Sequence, residues 1–137
     1  MSLSVTLSKV KEKAGISVTT YDTKVTNLIA DWIPVLEYAI DPAFLNDLAN
    51  TGLQATLNLG ATELVAGEFL SQLAREPGGS ESLMFGWLEV QPSFKDLTDP
   101  FGLKRQGAVR IAPFVKDPDS LIGAFGVLTG GSRSDGE

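Results

Sequence analysis

The chain has 137 residues, 43% hydrophobic and 20% charged, a usage that fits one globular domain with its own core and argues against wholesale disorder. It contains no cysteine and no histidine, which excludes disulfides, thiolate nucleophiles, histidine triads and the usual zinc or iron–sulfur sites, and leaves carboxylate, lysine or tyrosine chemistry. The net charge of −6 is segregated, with one arginine against nine carboxylates in residues 25–93 and five basic against two acidic residues in 94–116; this disfavours tight binding of phosphate backbones and suits protein–protein steering.

Met1-Ser2-Leu3-Ser4-Val5 lacks the basic and apolar regions of a secretory signal, and no run of about 18 apolar residues offers a membrane span. A cytosolic or virion setting without membrane contact is therefore expected. The first helix is predicted from Leu7 to Ala14, with Thr6 or Ser4 as its cap, Gly15 as its stop, and Leu7, Val10 and Ala14 on its inner face. The second carries the strongest periodicity: Val25, Leu28, Ile29, Trp32, Ile33, Leu36 and Ile40 follow the 3.6-residue repeat behind Asp22 as cap. Pro34 inside it predicts a kink, and Asp31 and Glu37 are expected on the solvent side.

Asp41-Pro42 reads as a cap followed by proline at the first helical position. It opens a short third helix with Ala43, Phe44, Leu45 and Leu48 that ends at Asn50-Thr51-Gly52. A long fourth helix is predicted over roughly Leu53 to Arg75, with Leu57, Ala61, Leu64, Val65, Phe69 and Leu73 facing inward. Glu76-Pro77-Gly78-Gly79-Ser80 stops it. Ser82 to Val90 is aromatic and aliphatic and bounded by turn residues, so a projecting strand or hairpin arm is expected at about 80–95. Asp99-Pro100 repeats the cap-and-proline pattern and opens a helix toward Ile111 that stops before Pro113. From Asp117 the apolar residues Leu121, Ile122, Phe125, Val127 and Leu128 are spaced by glycines, the mark of a tail that is either mobile or ordered by a neighbouring subunit. The expected fold is mainly α: a small helical bundle over residues 1–116 with a projecting β arm, followed by an irregular tail over 117–137.

Several residue groups carry candidate chemistry. Paired carboxylates are the main catalytic option left, but Glu63 and Glu68 are five apart and fall on different faces, and Asp41 of the Glu37–Asp41 pair is better used as a cap. Solvated faces are the preferred reading of both. Asp117-Pro118-Asp119 has too few ligands for a calcium loop and reads as a turn, and Ser8 with Lys11 matches a Ser-x-x-Lys spacing without its companion motifs. Gly60 and Gly67 follow no strand and flank no lysine, so close helix packing explains them better than a phosphate cradle. Lys104, Arg105 and Arg110 near Phe114 form a basic segment suited to an acidic protein surface, of which residues 25–93 are themselves an example. No cofactor or metal is expected.

The opening Val5-Thr6-Leu7-Ser8-Lys9-Val10-Lys11 helix, the Asp22-to-Ile40 helix with Leu28-Ile29 and Trp32, and the Ala61-to-Arg75 helix come in that order. The Ser82-Leu83-Met84-Phe85-Gly86 arm follows, and a basic segment closes on Arg110-Ile111-Ala112-Pro113-Phe114. This order resembles the head–tail connector, or adaptor, proteins of long-tailed bacteriophages, although Pro34 and the glycine-rich tail depart from that pattern. The resemblance implies a structural virion protein of the neck, assembled in the host cytoplasm. It would form a homo-oligomeric ring, commonly dodecameric, beneath the portal protein. DNA would pass through its lumen without specific binding, and tail-completion or head-closure proteins would be further partners. It also implies that Leu83, Phe85 and Trp87 of the arm, Lys104, Arg105, Arg110 and Phe114 of the basic segment, and Leu121 and Phe125 of the tail meet neighbouring subunits or the portal. Other readings are a tail-completion or head-closure protein, a carboxylate-dependent or metal-assisted hydrolase, and a small regulatory module that binds host protein.

Overall fold

The computed structural model of the chain describes residues 3–75, 99 and 101–117. The expected arm at 80–95 and the tail from residue 118 onward lie outside the described residues. What is described is mainly helical, with a single isolated antiparallel bridge between Ile40 and Val115.

Helix α1 spans Leu7–Ala14, with the predicted bounds. The Thr6 hydroxyl accepts from the Lys9 backbone N–H at 3.2 Å, and Gly15 closes the helix at φ 75°. That left-handed backbone is natural for glycine, and it turns the Gly15 N–H back onto the carbonyls of the last turn. Helix α2 spans Asp22–Ala39 and runs as one helix through Pro34. Asp22 is not the cap: it is the first helical residue, Tyr21 takes the cap position without a side-chain bond, and the Asp22 carboxylate accepts from Lys11 Nζ at 2.8 Å. An acid in the first turn still opposes the positive helix end, so the sequence signal was sound but misplaced by one residue.

Helix α3, Pro42–Leu45, is a single turn capped by Asp41, whose carboxylate accepts from the Ala43 N–H at 3.0 Å. The helix was expected to include Leu48 and run to Asn50-Thr51-Gly52, but the chain leaves helical geometry after Leu45, and Leu48 is 63% exposed. Helix α4 spans Thr51–Arg75, starting two residues earlier than expected because the Asn50 side chain accepts from the Leu53 N–H at 3.2 Å. Helix α5 spans Leu103–Ile111 and passes into a 3-10 turn, Ala112–Phe114. Its start was expected near Pro100. It forms three residues later, behind Gly102 at φ 76°, and the Asp99 carboxylate reaches forward to accept from the N–H groups of Lys104 at 3.0 Å and Arg105 at 3.0 Å.

Helix α4 is the axis of the fold. Every residue from 60 to 71 is buried, so the helix is enclosed on all sides through its middle turns. Helices α1, α2 and α5 pack around it. The core includes Val10, Val25, Leu28, Ile33, Leu36, Ile40, Leu57, Leu64, Phe69 and Ile111, and Tyr21 meets Phe69 edge-on with ring centroids 5.4 Å apart. The ends of α2 and of the 3-10 turn are fastened by two backbone bonds beside the Ile40–Val115 bridge. The Asp41 N–H donates to the Phe114 carbonyl at 2.9 Å, and the Lys116 N–H donates to the Ala39 carbonyl at 2.9 Å.

Candidate functional site

The densest collection of charged and small residues lies where α5 meets α4. Along α4, Gly60, Leu64, Gly67 and Ser71 recur at helical spacing and make a narrow stripe. On α5, Lys104, Gly107, Ala108 and Ile111 do the same and are all buried. The two helices approach so closely that a side chain is excluded at three points, by backbone at Gly67 and Gly107 and by the Ile111 side chain at Gly60. A Cβ on Gly107 would lie 2.6 Å from the Gly60 carbonyl oxygen and 2.9 Å from the Leu64 backbone nitrogen. One on Gly67 would lie 2.6 Å from the Lys104 backbone nitrogen, and one on Gly60 would lie 2.5 Å from Ile111 Cγ1. The expectation that Gly60 and Gly67 serve helix packing is met, with Gly107 as their counterpart.

Glu63 and Glu68 flank this stripe, separated by about 140° around the helix axis at 100° per residue. Each takes a cation from α5. Arg110 grips Glu63 with two prongs, Nε to Oε1 at 2.8 Å and an NH2 nitrogen to Oε2 at 3.2 Å. Lys104 Nζ donates to Glu68 Oε1 at 3.2 Å, and Gln72 Nε2 donates to the other oxygen of Glu68 at 3.0 Å. The Glu63 side chain is 1% exposed and that of Lys104 is 3% exposed. Burying such charges is tolerable only because each has a partner. The Arg110 guanidinium is held above its ordinary pKa, first by the hydrogen bond to Glu63; burial works the other way, and the negative charge of Glu63 adds a smaller push upward. A raised pKa on a cation means stability that is present below its unfolded value and lost as pH rises through the folded one. Arg110 therefore contributes fully across the neutral range and loses its contribution only at strongly alkaline pH.

The solvated-face reading of Glu63 and Glu68 is thus corrected. Their charge suggested solvent, but the helix that carries them is enclosed on all sides. The pair nevertheless does not form one acid–base dyad, because each carboxylate is bound to a different cation. Glu37, expected on the solvent side, is half-buried and accepts from the Leu3 N–H at 3.3 Å.

Among the residues expected to face a partner, Lys104 is buried, with its amine inside the fold against Glu68. Arg110 is bound to Glu63, so its charge is already matched within the chain, whereas Arg105 is exposed. Phe114 is half-buried and meets Phe44 edge-on at 5.2 Å. Leu83, Phe85, Trp87, Leu121 and Phe125 lie outside the described residues. Of the Ser8–Lys11 pair, Ser8 is exposed and Lys11 is paired with Asp22. Asp117 is exposed, while its motif partners Pro118 and Asp119 lie outside the described residues. Among the described residues no group of three or more acidic side chains is placed to hold a metal ion, and no helix is long and apolar enough to cross a membrane.

Two outward surfaces complete the picture. An open groove of about 370 Å³ runs along the outer side of α5, lined by Gly102, Arg105, Gln106, Val109 and Arg110. The outer side of α2 carries Val35 and Tyr38, 41% and 79% exposed, with Lys116 Nζ 4.3 Å from the Tyr38 ring centroid. No family model, curated protein or solved structure matches the chain.

Proposed function

We propose that the chain is a structural subunit that assembles with copies of itself, of the head–tail connector kind its sequence order resembles. The observation that carries this reading is the placement of apolar side chains outside the core. Val35, Tyr38 and Val109 are exposed on the outer faces of α2 and α5 although α4 has buried the apolar faces of its neighbours, and such residues suit contacts between subunits. The helical bundle is of a kind that can line a ring, and in this reading DNA passes through the lumen of that ring. In this reading the arm of residues 80–95 reaches a neighbour, the portal protein is the docking partner, and the neck of a virion is the location.

Native mass spectrometry and negative-stain imaging of the purified chain, with and without a portal protein from the same source, test the proposal. A ring, alone or on the portal, is the expected result. A strict monomer that never joins the portal overturns it.

A further inference from the structure

The outer faces of α2 and α5 match each other in chemistry and spacing. On α5, Arg105 is followed one turn later by Val109, 49% exposed, at the rim of the groove described above. On α2, Asp31 is followed one turn later by Val35 and then by Tyr38, all three exposed. In both helices the charge and the exposed valine are four residues apart, about 6 Å along the axis. Among the described residues neither Arg105 nor Asp31 has an ion-pair partner, unlike Glu63, Glu68, Lys104 and Arg110. Lys24 and Lys116 mark the two ends of the α2 face, leaving Asp31 as the acid in its middle. The two helices pack against α4 rather than against each other, so the two faces are separate surfaces of one molecule.

We infer that the α5 groove of one copy receives the outer face of α2 of a second copy, Arg105 meeting Asp31 and Val109 meeting Val35. This rests on the self-assembling reading above and names the surface it uses. The contact joins two different faces, so it is heterologous, and each copy keeps one free face of each kind. Such a contact propagates, and it closes into a ring when the rotation permits.

The test is charge reversal in the full chain, read by native mass spectrometry and light scattering across a concentration series, with circular dichroism to verify helicity. Arg105→Glu and Asp31→Lys are each expected to raise the concentration needed for assembly about tenfold or more, because like charges then oppose one another. The double variant, and equally a one-to-one mixture of the two single variants, is expected to restore assembly. Arg105→Gln and Asp31→Asn, which remove charge without reversing it, weaken assembly less. If the wild-type chain assembles and neither reversal affects it, or if the double variant and the mixture both fail to recover, the α2–α5 pairing is wrong while self-assembly stands. A wild-type chain that stays monomeric at every concentration overturns both.

Discussion

Helix α4 is packed in two different ways by its neighbours. Toward α1 and α2 it faces side chains of ordinary core type, Val10, Val25, Leu28 and Leu36, and its own Phe69 meets the ring of Tyr21. Toward α5 it meets glycine, alanine and two ion pairs with buried carboxylates, with the backbones close enough to exclude a Cβ at Gly67 and Gly107 and the Ile111 side chain filling the space at Gly60. The first interface is held by the apolar volume it buries and loses most when that volume is removed. The second fixes separation and register, because the glycines set the distance while Lys104 and Arg110 of α5 reach Glu68 and Glu63 on either side of them. Apolar contact alone would let α5 slide along α4. Two ion pairs on opposite sides of the glycine stripe hold it at one position, in keeping with the use of buried charge to specify register.

The contrast is testable by perturbing each side in turn. Phe69→Ala removes a ring that is fully buried between helices and is expected to cost about 4 kcal/mol, measured by urea denaturation. If it costs less than about 1 kcal/mol, that side is not a packed core. Gly107→Val forces atoms into the Gly60 carbonyl and the Leu64 backbone, with an expected loss of about 3 kcal/mol from overpacking. A neutral result would mean that α5 moves away from α4 freely. Lys104→Met removes the Lys104–Glu68 ion pair from the interior and should cost about 3 kcal/mol, whereas the double variant Lys104→Met with Glu68→Leu should recover most of the loss. That double-mutant cycle separates the ion pair from the space it fills. The smallest effect is expected at the caps: Asp41→Ala should cost about 1 kcal/mol, seen as a shift of a few degrees in Tm.

The same contrast explains what the sequence makes legible. Helices α1, α2 and α4 announce themselves through aliphatic residues at helical spacing, and Thr6, Gly15 and Asp41 mark ends that the structure keeps. The α4–α5 interface uses residues whose local meaning is the opposite of their role here. Glycine lowers helix propensity, and glutamate, lysine and arginine favour water, so Gly107, Glu63, Glu68, Lys104 and Arg110 read individually as weak helix and solvated surface. A usable signal was present in combination: Glu63 and Glu68 are five apart, Lys104 and Arg110 six apart, and Gly60 and Gly67 lie among the acids. The opposite charges of residues 25–93 and 94–116 were legible as complementary. Only the packing of α5 on α4 shows that two pairs of that complementarity are satisfied within one chain. The end of α3 was misplaced for a different reason: Leu48 continues the apolar pattern of Phe44 and Leu45, yet the helix is a single turn that stops at Leu45.

The fastening between residues 39–41 and 114–116 affects the order in which the molecule forms. Its two backbone bonds and the Ile40–Val115 bridge join segments about 75 residues apart in the chain, and closing a loop of that length from the unfolded state costs about 4 kcal/mol in chain entropy. Two hydrogen bonds cannot supply that on their own. The closure becomes favourable only after α4 has docked on α2 and α5 on α4, which shortens the effective loop to a few residues. Residues 39–41 and 114–116 are thus expected to gain hydrogen-exchange protection late in refolding, after the middle of α4, making this small clasp the final seal on the bundle.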